Sequence, residues 1–563
     1  MKIEESILKY ALKNAADFGK AEKGAVIGKV IAEHPEAKIR MGELIKQVEK
    51  TVNEVNSMDM TTIKEMLAAY TFEKKKEEEK KIRLEGAMEG SVVTRFLPEP
   101  NGYLHIGHAK AAFLSYEASR QYKGRCLLRF DDTNPEKESQ EFVDGIKEDL
   151  AWLGLNFDGE SYASDMMPTF YKCAVKLIEQ GDAYVCLCPR DTINKHREEG
   201  RECECRSRSV EENMELWGDM LFGAYDAGDA ILRLKGDMSS ANTVMRDPTL
   251  FRIIYERHYR QGEKYIVWPT YDFEVCIADS IEGVTHALRS KEYELRDELY
   301  YYILDRLGMR KPAVYDFARL NLKGTKLSKR FLKPLVEEGM VQGWDDPRMP
   351  TIRGLKRRGI TAHAIREFVL YFGLSKTESE PSWDLLFAEN RKFLDPLAER
   401  YFFVPNPVKI KVENAPQYEV SLAKHPERGM GFRKFKTGNL FHIPASDWDS
   451  VNSGDIFRLK DLYNVRVVDK EKCITDYAGD AVLESTKKIQ WVSEEYIEAE
   501  VAVIGDLFIG EDFNPESMKV ESGFCEASCS ELEIGKIVQF ERYGFCRLDK
   551  KEEKKLFFIL ANR

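Results

Sequence analysis

SVVTRFLPEPNGYLHIGHAKAAF, residues 91–113, decides how the rest of the chain is read. SVVTRF (91–96) is rich in β-branched and aromatic residues, the chemistry of a strand. PEPNGYLHIGH follows as a Pro/Gly loop, and AKAAFLSYEASRQYKG (109–124) has the composition of a helix. A loop between strand and helix offers an anion the free N–H groups and positive dipole end of the helix. His105 and His108, three residues apart, share one face of a first helical turn. Gly107 lacks a side chain, so a flat ligand can approach the backbone there. Only nine histidines occur in the chain, and two fall in this four-residue stretch. A nucleotide-phosphate cradle fits these facts better than two packing histidines. It needs no Walker lysine, and none is present. The chain has no G-x-x-x-x-G-K-S/T loop, no strand-anchored G-x-G-x-x-G and no H-E-x-x-H.

Outward from this stretch the pattern repeats. CLLRF (126–130) reads as a buried strand, DDTNPEKES as a loop and FVDGIKEDLAWLGL (142–155) as a helix. Strand, helix, strand, helix implies a parallel sheet. KYIVWPTYDF and the segment around DSIEGVTHALRS are expected to continue it near 264–290, with residues 185–262 inserted between. Residues 331–400 read as helical around IRGLKRRGITAHAIREFVLYFGL. From 401 the short runs VKIKV, YEVSLA, NLFHI, IFRLKDLYNVRVV, KIQWV, EAEVAVIGDLF, KIVQFERYGFCRL and KLFFIL signal an all-β barrel or sandwich. At the other end, residues 1–70 read as a small helical unit, with Ile7, Leu8, Ala11 and Leu12 at helical spacing. The charge run EKKKEEEKKIR (73–83), with pairs such as Glu77–Lys81, reads as a solvated helical linker.

Composition bounds the function. The 563 residues are 43% hydrophobic and 32% charged, with a mean hydropathy of -0.45. No apolar run reaches the roughly 18 residues of a membrane span, and MKIEESILKY is too acidic for a signal peptide. A soluble, cytoplasmic protein is expected. The net charge of -11 does not point to nucleic acid, although a local basic face remains compatible with it. Eleven cysteines, an odd number over a long chain, argue for reduced thiols and a metal rather than a disulfide framework.

A second segment, Lys323-Gly324-Thr325-Lys326-Leu327-Ser328-Lys329-Arg330, carries four cations and two hydroxyls. Such a loop can close over a polyphosphate and neutralise developing charge. Together the two segments reach a family. HIGH at 105–108 and KLSKR at 326–330 resemble the two signatures of class I aminoacyl-tRNA synthetases. TRFLPEPNGYLHIGHAKAA, LRFDDTNPEKES, WPTYDFEVCIADSIEGVTHALRSKEYELRDE and ARLNLKGTKLSKR resemble the glutamyl/glutaminyl subgroup, and the β-rich remainder its archaeal and eukaryotic branch.

The resemblance implies a multidomain chain with an α/β Rossmann-like catalytic core. Residues 1–85 would form the N-terminal helical domain with its linker, and 86–184 and 263–330 the two catalytic halves. Residues 185–262 would be an inserted subdomain for the tRNA acceptor end. A helical connective domain (331–400) and anticodon-binding β-barrels (401–563) would complete it. The implied activity is ligation of L-glutamate to tRNA(Glu), with tRNA(Gln) as a second acceptor to consider, by a monomer using ATP and Mg²⁺. His105, His108, Lys326 and Lys329 would be catalytic. Glu99, Pro100, Asn101, Gly107, Arg319, Leu320, Leu327 and Ser328 would contact the nucleotide, alongside both histidines and Lys326. Arg95, Asp131, Tyr271 and Arg289 would bind the amino acid. Arg289 stands where the glutaminyl branch resembles THSLC, with cysteine. A guanidinium gives a γ-carboxylate a bidentate partner and gives an amide N–H₂ no acceptor, so the pocket favours glutamate.

Cys186, Cys188, Cys203 and Cys205 place four thiols within 20 residues, with His196 between them. Four thiolates suit a structural Zn²⁺. Cys525, Cys529 and Cys546 complete no site and read as free thiols. Arg353, Lys356, Arg357, Arg358 and Arg366 are a candidate phosphate-contact face. Arg433, Lys434 and Lys436 around Phe435 suit splayed anticodon bases. The alternatives are a glutaminyl-tRNA synthetase, an H-x-G-H nucleotidylyltransferase and a non-enzymatic tRNA-binding scaffold.

Overall fold

The computed structural model describes residues 3–34, 36–37, 41–67, 69–70, 82–483 and 486–563. Most of the 73–83 charge run lies outside the described residues. The chain divides into two compact units, Met1–Lys80 and Lys81–Arg563.

The first unit holds the helices Ile3–Phe18, Lys23–Glu33, Met41–Asn56 and Met60–Leu67. In Met41–Asn56, Leu44, Val48, Val52 and Val55 recur at three- and four-residue steps and are buried. They pack with Ile7, Ala11 and Leu12 in one core.

In the second unit, Val93–Phe96, Arg125–Phe130 and Gly159–Tyr162 form a three-stranded parallel sheet. His286–Ser290 pairs in parallel with Ala313–Phe317. Thr285 N donates to Val93 O at 2.8 Å, so the fourth strand comes in beside the first. Strand order therefore reverses between Phe96 and Ser290. The crevice beyond the carboxyl ends at such a reversal is where open α/β sheets bind ligands. The HIGH loop leaves from Val93–Phe96, and Arg289 is the penultimate residue of the strand His286–Ser290.

Four antiparallel strands, Ala183–Cys186, Ile231–Leu234, Thr249–Ile253 and Val267–Pro269, interrupt the parallel pattern. This corrects one expectation, because KYIVWPTYDF contributes its strand to the antiparallel sheet. A three-residue apolar run cannot declare its sheet; pairing with Phe251 and Ile253 decides it. The helix Tyr271–Ile281 then returns the chain to the parallel layer.

The helices Lys329–Glu337, Ile352–Arg358, Ala362–Tyr371 and Trp383–Leu394 follow. Thr351 and Thr361 cap the middle two with their hydroxyls. The remainder is β-rich, with a six-stranded and a seven-stranded sheet and separate cores around Trp491 and Phe540. Two early strands, Arg400–Tyr401 and Phe403–Pro405, belong to the seven-stranded sheet, whose other strands lie after residue 495. No helix among the described residues is long and apolar enough to cross a membrane.

Candidate active site

His105 is the N-cap of the helix Ile106–Gln121. Its Nδ1 accepts the backbone N–H groups of Gly107 at 3.1 Å and His108 at 3.4 Å. Its own N–H donates to His108 Nδ1 at 3.2 Å. The two side chains thus perform the reciprocal capping that Ser and Glu perform elsewhere. The rings stack with centroids 3.7 Å apart. Desolvation by the surrounding protein holds His105 well below its ordinary value, helped by His108, and brings His108, which still meets solvent, down to about 4. Both imidazoles are therefore neutral at pH 7. With each Nδ1 accepting, each proton sits on Nε2 as a hydrogen-bond donor.

Gly107 is required by close approach. A Cβ there would lie 2.9 Å from His105 Cε1 and 3.4 Å from Leu327 Cδ1 of the basic loop. The two sequence segments, more than 200 residues apart, therefore meet. The loop is fixed by Trp383 Nε1, which donates to Thr325 Oγ1 at 2.8 Å, and by Lys323 N, which donates to Pro381 O at 3.0 Å. Ser328 precedes the helix Lys329–Glu337 without capping it through its side chain. Lys329 lies 5.3 Å from the Phe142 ring centroid, and its ammonium is held below its ordinary value by burial and then by Lys333.

Both segments line one cavity of about 1370 Å³. Arg95, Glu99, Asn101, Asp131, Tyr271, Arg289, Arg319, Leu320, Lys326, Leu327, Ser328 and Lys329 also line it. Pro100 does not. It is buried, and its carbonyl accepts Ser139 N–H at 3.1 Å, so its role is to shape the loop.

In the same cavity, Arg95 Nε donates to Asp279 at 2.9 Å and Nη1 to Leu288 O at 2.7 Å. Burial alone would raise the Asp279 carboxyl, but Arg95 and Arg129 outweigh it and hold it below its ordinary value. Asp131 behaves oppositely. Burial, then Glu99 and Asp132, push it up to about 7. Tyr271 and Tyr293 face each other at 4.9 Å. Arg289 needs a correction. Its Nη2 donates to Tyr293 O at 3.3 Å and to Asp297, and its Nε lies 3.7 Å from Asp316. It is not a free bidentate fork; one edge is already engaged.

The cavity also contains residues that no motif announced. Arg252, from the inserted sheet, donates to Pro269 O and, at 3.3 Å, to Thr133 O. Tyr293 and Arg296 lie inside the quoted THALRSKEYELRDE run, but their spacing gave no cue. Glu378, Ser379 and Glu380 arrive from the loop between the helices Ala362–Tyr371 and Trp383–Leu394, by tertiary packing alone.

The four thiols converge. All their sulfurs lie within 4.8 Å of one another, with Cys186–Cys203 at 3.9 Å and Cys188–Cys205 at 3.7 Å. Tetrahedral zinc, with bonds of about 2.3 Å, needs S···S separations of roughly 3.8 Å, so the donor set fits. His196 is not part of the cluster. Tyr184 Oη lies 3.6 Å from Cys203 Sγ, and Arg233 Nη1 lies 3.9 Å from both Cys186 and Cys203 sulfurs.

Most cations of the two candidate RNA faces have partners within the chain. Arg353 pairs with Glu148, at 2.5 Å, and Arg357 with Asp549, at 2.9 Å. Arg366 pairs with Glu117 at 2.9 Å, and Arg358 packs over Phe387. Lys356 is the exposed member of that cluster. Arg433 is 2% exposed and pairs with Glu526 and Glu541. In the strand Phe432–Lys436, Arg433 and the half-buried Phe435 face inward. Phe432, Lys434 and Lys436 face out, as a period of two requires.

Residues 91–396 match the catalytic domain of class I tRNA synthetases for glutamate and glutamine (E and Q). Residues 398–481 and 488–549 match two anticodon-binding domains of that group. The chain is 42% identical over 547 residues to a glutamate–tRNA ligase of Cenarchaeum symbiosum, covering 96% of this chain and 97% of that one. It is 41% identical over 560 residues to that of Nitrosopumilus maritimus, covering 98% of each. It is 40% identical over 582 residues to that of Pyrococcus furiosus, covering 100% of each.

Proposed function

The chain belongs to the class I tRNA synthetases for glutamate and glutamine, and we propose that it is a glutamate–tRNA ligase. The observation that carries the reading is the shared cavity. His105, Gly107 and His108 meet Leu327 of the basic loop, and Arg95, Asp131, Tyr271 and Arg289 line the same cavity.

In the first step the glutamate α-carboxylate attacks the α-phosphorus of ATP, and the bond to pyrophosphate breaks. In the second, a ribose hydroxyl at the tRNA 3′ end attacks the acyl carbon and AMP leaves. No covalent enzyme intermediate is needed, so the protein's task is positioning and charge stabilisation. His105 and His108 turn neutral N–H donors toward the phosphates. Gly107 leaves room for the nucleoside, and Glu99, Asn101, Arg319, Leu320, Leu327 and Ser328 border it. Lys326 and Lys329 stabilise the departing pyrophosphate. Mg²⁺, carried in with ATP, would offset further polyphosphate charge.

Asp131 meets the α-ammonium, Tyr271 walls the side-chain pocket, and Arg289 with Arg95 sets its charge. Cys186, Cys188, Cys203 and Cys205 would hold a zinc ion that fixes the inserted subdomain. That subdomain, residues 185–262 in outline, takes the acceptor end, and the β-sheets from 401 take the anticodon. A cytoplasmic monomer acting on tRNA(Glu) fits these parts, with tRNA(Gln) as the other acceptor to be tested.

The test is aminoacylation with radiolabelled glutamate and glutamine, each with purified tRNA(Glu) and tRNA(Gln), ATP and Mg²⁺. Glutamate on tRNA(Glu) is the expected product, and glutamate on both tRNAs would define a relaxed acceptor range. Glutamine attachment would overturn the assignment of Arg289. No charging at all would favour the scaffold or nucleotidylyltransferase readings.

A further inference from the structure

Arg289 reaches the cavity with its guanidinium already held from behind. Nη2 donates to Tyr293 O and to the Asp297 carboxylate, and Nε faces Asp316 Oδ1 at 3.7 Å. Arg289 and Tyr293 line the cavity, whereas neither aspartate does. Among the described residues, Nη1 has no hydrogen-bond partner. Asp316 is 6% exposed and also receives Lys376 at 3.2 Å, while Lys376 bridges to Glu294 at 2.7 Å. Asp297 is the first residue of the helix Asp297–Leu307, where the helix dipole favours an ionised carboxylate. Two cations therefore stand among three anions at this end of the site.

A lone guanidinium strongly prefers a carboxylate to an amide. One flanked by two carboxylates, Asp316 buried and Asp297 half-buried, prefers it less, because the added anion is repelled by both. We propose that Asp297 and Asp316 are specificity-setting residues, which tune how strongly Arg289 favours a carboxylate and leave Nη1 as its contact with the substrate. They act through Arg289 and are positioning residues. The proposal rests on the glutamate-ligase reading of this cavity.

The test is steady-state charging of tRNA(Glu) by the full-length protein, with glutamate and glutamine titrated separately. Asp297→Asn keeps a hydrogen-bond acceptor and removes the charge. Its KM for glutamate should fall by about three- to tenfold, with kcat within roughly twofold and no gain for glutamine. A fall in KM caused by a damaged, slower enzyme would bring kcat down with it, so a preserved kcat separates the two. Asp297→Ala loses acceptor and charge together, so its KM should rise as Arg289 loosens. Asp316→Asn carries the same expectation as Asp297→Asn and covers the case in which the helix start depends on Asp297. Unchanged or raised KM for glutamate in both asparagine variants would overturn the proposal. Failure of the unaltered enzyme to charge glutamate would instead overturn the reading of the site, and this proposal with it.

Discussion

Asp131 and the two HIGH histidines face the same cavity and titrate in opposite directions. Burial, with Glu99 and Asp132, lifts Asp131 to about 7, so in the free protein near pH 7 it is only partly ionised. An ammonium group binds its ionised form. Glutamate binding should therefore tighten as pH rises, with KM falling roughly tenfold between pH 6 and 8. A flat profile would remove Asp131 from the ammonium contact. The histidines carry the other sign. Both folded pKa values lie below 6.5, that of His108 at about 4, so as pH falls below about 6.5 the unfolded chain binds protons that the folded chain does not. Their share of stability is present above about 6.5 and is lost as pH falls below it. Replacing His108 by Gln should shallow the acid side of a stability–pH curve measured by chemical denaturation; an unaltered slope would contradict the assignment.

At the scale of elements, the HIGH helix and the basic loop are built around an absent side chain. Gly107→Ala puts a methyl 2.9 Å from the His105 ring. The ring must move, and with it the capping pair. The expected result is a loss of about 10²-fold in adenylate formation, with thermal unfolding little changed. A matching loss of fold would show that Gly107 serves stability alone. The four-thiol element predicts a different readout. Purified protein should carry close to one zinc per chain, and Cys186→Ser should retain far less, with faster proteolysis between residues 186 and 206. Zinc-free native protein with an intact inserted sheet would exclude the structural metal.

Over the whole second unit, the C-terminal β-region touches the basic loop. Leu507 and Phe508 pack with Leu332, Leu335 and Phe331 of the helix that begins at Lys329. Lys326 faces Glu511 at 3.7 Å, and Arg348 Nη1 donates to Ser517 Oγ at 3.4 Å. The loop that is to hold pyrophosphate is thus braced by a segment some 180 residues later. Phe508→Ala removes a side chain that is 6% exposed, a class of change that costs about 3–5 kcal/mol in a core. KM for ATP should rise severalfold while KM for glutamate stays near its starting value, since Arg289 and Tyr271 do not touch this brace. An equal rise in both constants would point to general loosening.

The sequence by itself determined the parallel order of the first strands, the helical connective region and the β-rich end, because apolar period and turn residues are local properties. HIGH and KLSKR carry their chemistry in adjacent positions and so were legible, whereas Arg95, Asp131, Tyr271 and Arg289 were reached through the family resemblance; these four line the cavity as well. Pro100 was the exception, because its backbone pairing with Ser139 is not local. Only tertiary structure decided which sheet Val267–Pro269 joins, since pairing partners fix that. It also decided that Arg353, Arg357, Arg366 and Arg433 are neutralised internally, because their carboxylates come from distant segments. The same holds for Arg289. Its residue type speaks for a carboxylate, but its effective charge depends on Asp297 and Asp316, which the fold brings behind it.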